Sequence, residues 1–212
     1  MPTPQWLDHE SLALIALRCA DNARMNRTQH PGRMDSALDT TRLWLERAVI
    51  GLNLCPFAKA VHLKQQIRWV ESPARDAESL LQDLVHELQW LAAADPDVVD
   101  TTLLVHPHAL NDFLDYNDFL DIADAALVEL GLDGVLQVAS FHPDFRFEGS
   151  DDADAGNLSN RSPYPTLHLL REDSVERAVA AFPEAETIYE RNIETLRRLG
   201  SAGWRALMAA DA

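Results

Sequence analysis

Between residues 66 and 141 the chain alternates strand-like and helix-like segments, and this alternation restricts the fold more than any other feature. Gln66 to Glu71 (QIRWVE) reads as a strand. Ser72-Pro73 then signals a helix start, and Leu80, Leu81, Leu84, Leu88 and Leu91 recur at helical spacing until Asp95-Pro96 ends the run. Thr101 to His106 predicts a second strand. Asn111 is placed to cap a helix in which Phe113, Tyr116, Phe119, Leu120, Ala123, Leu127 and Leu130 cover one arc. Asp115, Asp118, Asp121, Asp124 and Glu129 cover the other. Gly131 and Gly134 bracket its exit. Val135 to Phe141 is a third strand, apolar enough to be covered on both faces.

Such a succession implies two right-handed crossovers and a parallel core sheet. The expected architecture is α/β, with a small, mainly parallel four-stranded sheet flanked by helices. Its fourth strand, Thr166 to Leu170, is short and open to an antiparallel placement. The 24 residues from 142 to 165 form a loop with five acids, and a loop of that length inside a domain is commonly functional, here as a lid. Two closing helices are expected from about Ser174 and Glu184, split by Pro183. Asp35 or Ser36 caps a helix through Leu38, Leu45, Val49 and Leu52. Residues 1–34 read as a helical arm and linker, with Leu12, Ile15, Ala16 and Cys19 on one helical face, and residues 35–212 as a single α/β domain.

Charge narrows the partners. The net charge is −16, and residues 71–155 hold 20 acids against Arg75 and Arg146 alone. Nucleic acid and anionic lipid would be repelled by that segment, because binding a polyanion requires clustered cations. The N-terminus offers acids where a signal peptide needs a basic region, so a cytoplasmic protein without a membrane span is expected. Cys19 and Cys55 form no disulfide framework and no zinc motif by themselves.

Ligands of open parallel sheets bind beyond the carboxyl ends of the strands. The second strand ends in His106-Pro107-His108 and the third in His142-Pro143-Asp144, so both elements emerge on one edge. His106, His108, His142 and Asp144 form a candidate metal set for iron, zinc or manganese. His106 and His142 serve equally as metal-free acid–base groups. Proline also ends strands for purely structural reasons, with the histidine before it half buried. Cys55 precedes Pro56, where a helix start would lower its thiol pKa and make it a candidate nucleophile, unless it simply packs in the core. In Asn160-Arg161-Ser162-Pro163-Tyr164-Pro165, two prolines fix the backbone around a candidate substrate-binding group of Asn160, Arg161, Ser162 and Tyr164. Arg161, with Arg146, could clamp an anion. His168 faces the opposite side of its strand from Leu167 and Leu169, as a core plug or a further catalytic imidazole. Asp152, Asp154 and Gly156 resemble a calcium loop, but the glycine comes one position early and Pro163 stands where the glutamate belongs. GxGxxG, Walker A, GxSxG and HExxH are absent.

WLERAVIGLNLCPFAKAV (44–61), LLVHPHALNDFLDYNDFLD (103–121), QVASFHPDFRFEG (137–149) and NRSPYPTLHLLREDSV (160–175) together resemble the bacterial family known as domain of unknown function 1415. The resemblance spans about residues 36–200. It implies that these segments belong to one domain and carries no catalytic assignment. The residues themselves lead to an expected enzyme for a small polar or anionic metabolite, metal-assisted or not, at a His/Arg/Cys pocket on the carboxyl edge. The alternative is a non-catalytic acidic interaction module whose helix 112–130 meets a basic partner and whose histidines are structural.

Overall fold

Three of the helices begin where a short polar side chain takes up the free amides of a first turn. In the computed structural model, which describes residues 36–182, 184 and 187–209, Ser36 caps α1 (Ala37–Trp44) by accepting from the Asp39 amide at 3.1 Å. The arm expected over residues 1–34 lies outside the described residues. The helix continues as a π-helical stretch, Leu45–Ile50, so that Trp44, Leu45, Ala48 and Val49 are all buried. A short α2 (Ala58–Leu63) leads into β1 (Ile67–Glu71). Helix α3 (Ala77–Ala93) starts four residues later than Ser72-Pro73 suggested, behind Asp76, whose carboxylate accepts from the Ser79 amide at 2.8 Å. Ser72 is spent elsewhere: it extends the pairing with β2 through the Val105 carbonyl and donates its hydroxyl to Asp83 at 2.5 Å. The cap of α4 (Phe113–Glu129) is likewise Asp112 and not Asn111. Gly131 and Gly134 adopt positive φ at its exit, 66° and 75°.

The remaining strands are β2 (Thr101–Val105), β3 (Leu136–Phe141) and β4 (Thr166–Arg171). They lie in the order β1-β2-β4-β3. The expectation of a mainly parallel sheet is therefore corrected. β1 and β2 pair in parallel, but β4 inserts between β2 and β3 and pairs antiparallel with both. β1, β2 and β3 still share one direction, so the carboxyl ends of β2 and β3 and the amino end of β4 meet on one edge. Burial agrees with this order: β2 is buried throughout, and Leu167 and Leu169 of β4 are fully buried. An interior strand is the one that loses both faces and both edges to its neighbours.

The two faces are packed differently. Val70, Leu104, Leu136, Val138, Leu167 and Leu169 meet α3 and α4 in a continuous apolar core. Arg68 on the same face holds Glu87 of α3 through two bonds of 2.7 and 3.0 Å, while its guanidinium lies 4.0 Å from the Trp90 ring centre. The opposite face, with Ile67, Trp69 and Phe141, receives the buried side of α1 and its π-helical extension. Trp204, Leu207 and Met208 of α6 (Ile188–Ala209, kinked at Gly200) pack there too. Helix α5 (Glu172–Ala180) follows β4 directly.

Candidate functional site

The shared edge brings together the three segments that sequence reading had joined. The His106 amide donates to the Pro165 carbonyl at 3.0 Å and the His142 amide to the Asn160 carbonyl at 3.1 Å. The two imidazoles flank the Tyr116 ring, His106 stacked at 5.8 Å and His142 tilted at 5.0 Å between ring centres. All three residues are buried. His142 is neutral by its partners: Nδ1 accepts from the Asp144 amide at 3.1 Å, so Nε2 carries the proton and donates to the Leu110 carbonyl at 3.2 Å. Burial lowers its pKa, against the raising effect of the Leu110 carbonyl, Asp144 and Asp112. His106 donates from Nδ1 to the Ala109 carbonyl at 3.0 Å and leaves Nε2 buried and unpartnered. Burial holds its pKa at about 4. Leu110 pays for this arrangement with a positive φ of 53°.

The polar candidates around this pair are committed to the backbone. Arg161 donates to the carbonyls of Phe145 and Asp152 at 2.9 and 3.1 Å, so it staples the loop in place of standing free as an anion clamp. Arg146 pairs with Asp152 in the open. Ser162 donates to the Tyr164 carbonyl, and Asn160 to that of Ser140. His108 and Asp144 are exposed while His106 and His142 are buried, and no group of three or more His, Cys, Asp or Glu among the described residues is arranged to hold a metal ion. The candidate metal set His106, His108, His142 and Asp144 thus does not converge.

His168 and Cys55 stand on the other side of the sheet. They belong to the wall of a cavity of about 560 Å³ between the second face and helices α1, α2 and α5. Trp44, Val49, Phe57, Leu103, Phe141 and Phe182 are among its apolar walls. His168 rises from its floor, with Nε2 2.7 Å from the Thr101 hydroxyl, and burial holds its pKa at about 4. The Cys55 thiol is free and part-buried. The expected lowering of its pKa is reversed. Burial raises it and outweighs the amides of Ala58 and Phe57, which pull the other way.

The model of a family described as "Protein of unknown function (DUF1415)" matches residues 36–206. The chain belongs to this family. No curated protein and no solved structure matches the chain.

In this DUF1415 member the residues that sequence reading missed are Tyr116, Asn157, Thr101 and the cavity walls. Tyr116 was legible as part of an apolar arc, and a buried phenol must find partners, which here are the Thr166 carbonyl at 2.9 Å and the Phe141 amide at 3.1 Å. Asn157 gives no local signal. Its side chain, fully buried, accepts from the Phe147 amide and the Ser150 hydroxyl and donates to the Asp151 carbonyl.

Proposed function

We propose that this protein binds a small, mainly apolar molecule in the cavity between the second sheet face and helices α1, α2 and α5, with His168 meeting the polar group of the ligand. The observation that carries this reading is the cavity itself: about 560 Å³ of space walled by aromatic and aliphatic side chains, with an imidazole on its floor. That combination of apolar walls and few convergent polar groups is what small-molecule sites present. The adjoining π-helical stretch, which contributes Leu45 and Val49 to the wall, is a backbone form found frequently at functional sites. An enzymatic role would draw on the neutral His168 and the Cys55 thiol of the same cavity. The carboxyl edge supports a metabolite site less well, since Arg161 and both nitrogens of His142 already have backbone partners.

An environment-sensitive apolar dye tests the reading. It should bind the native chain saturably, and Ala139→Trp, which puts an indole on the cavity floor, should abolish binding without changing the far-ultraviolet circular dichroism. Undiminished binding by that variant, or none by the native chain, would overturn the proposal.

A second reading draws on α4. Asp115, Asp118, Asp121 and Asp124 are exposed, and none forms an ion pair among the described residues. Such a face suits a basic protein partner, whose association would weaken with added salt.

A further inference from the structure

The polar atoms of the cavity floor take definite donor and acceptor roles once their protons are counted. A threonine hydroxyl has one proton. The Thr101 oxygen lies 2.6 Å from the Leu169 carbonyl and 2.7 Å from Nε2 of His168. A carbonyl only accepts, so the hydroxyl proton points to Leu169. The Thr101 oxygen therefore turns a lone pair to Nε2, and Nε2 must carry the ring proton. A neutral imidazole has one N–H, which leaves Nδ1 as a bare acceptor. Among the described residues Nδ1 has no bond, and it is open, because the buried side-chain atoms without a partner belong to Trp44, Thr102 and His106.

The rest of the wall adds to this. Asp100 is the acidic side chain of the wall, with the Ser174 hydroxyl donating to it at 2.5 Å, and no Lys or Arg lines the cavity among the described residues. An anionic head group would meet a carboxylate and a lone pair with no cation to balance them.

Resting on the reading of this cavity as a ligand site, we infer that its ligand is an uncharged apolar molecule whose hydroxyl or N–H donates to Nδ1 of His168. Burial keeps the ring neutral, so the acceptor persists through the neutral pH range. To bind a carboxylate, Nδ1 would have to gain a proton. Either the ring then becomes a cation against apolar walls, or the Thr101 hydroxyl turns to donate to Nε2 and its oxygen faces the Leu169 carbonyl at 2.6 Å with no hydrogen between them.

Two measurements on the full chain test this. Long-range proton–nitrogen NMR should find Nε2 of His168 protonated and Nδ1 not; a proton on Nδ1 overturns the inference and leaves the cavity reading intact. Calorimetric titration with naphthol, its methyl ether and the naphthoate ion compares a donor, a non-donor and an anion on one ring skeleton. Naphthol should bind about tenfold tighter than the ether, the worth of one hydrogen bond, and the anion more weakly than either. His168→Phe should abolish the preference while retaining the ether. Equal binding of naphthol and ether, or tightest binding of naphthoate, would overturn the donor assignment alone. Binding of none of the three would remove the cavity reading and the inference with it.

Discussion

Tyr116 shows how much one buried side chain can organise. Its ring separates two neutral imidazoles, and its hydroxyl joins the last residue of β3 to the first residue of β4 through the Phe141 amide and the Thr166 carbonyl. Thr166 is buried and Phe141 half-buried, and a polar group left unpaired away from water costs more than its hydrogen bond contributes. Tyr116→Phe should therefore destabilise the fold by about 1–3 kcal/mol with little change in shape, as measured by urea denaturation. A cost near zero would mean that water replaces the phenol there. At the same scale, Cys55 illustrates a local signal losing to its surroundings. Helix amides do reach the thiol, yet the burial imposed by the packed π-helix and α2 raises its pKa overall.

Among the elements, the segment from 142 to 165 departs furthest from expectation. Length and acidity suggested a lid, whereas it is folded around the Asn157 side chain, with a 3-10 turn at Ala155–Ser159 and Leu158 packed against Leu54 and Leu196 of α6. Asp154 is held by Arg197 of the same helix. Asn157→Ala would leave the half-buried Phe147 amide without its partner at a fully buried position, so a loss of about 1–3 kcal/mol is expected. Hydrogen exchange should rise first in residues 145–159; exchange that rises evenly over the whole sheet would count against a local role. Helix starts were readable to within a few residues, at Ser36 itself and at Ser72 and Asn111 ahead of the actual caps Asp76 and Asp112, because capping is a contact between near neighbours. Which of several nearby polar residues serves as cap was decided by the loop: Ser72 lost to Asp76, four positions on, because the β2 edge and Asp83 had already claimed it.

For the whole molecule, the histidines set the response to acid. His106 and His168 are held near 4 and His142 is also lowered, in each case chiefly by burial. In the unfolded chain all three titrate near 6.5, so below that pH the unfolded state binds more protons than the folded one. Their stabilising contribution is complete above about pH 6.5 and is lost as the pH falls toward about 4, with His106 alone accounting for up to about 3 kcal/mol. Urea midpoints should decline across that window, and His106→Gln should remove part of the slope; a flat profile would contradict neutral, buried imidazoles. The sequence by itself determined the strands, the apolar arcs of α3 and α4 and the helix starts to within a few residues, since these follow from periodicity and contacts between near neighbours. It even placed His168 opposite Leu167 and Leu169, because side chains alternate along any strand. Only the tertiary structure decided that β4 lies between β2 and β3, for strand order depends on which distant edges pair, and no local pattern carries that information. That choice in turn put His106 and His142 on one side of the sheet and His168 with Cys55 on the other, and left the cavity where α1, α2 and α5 meet the second face without filling it.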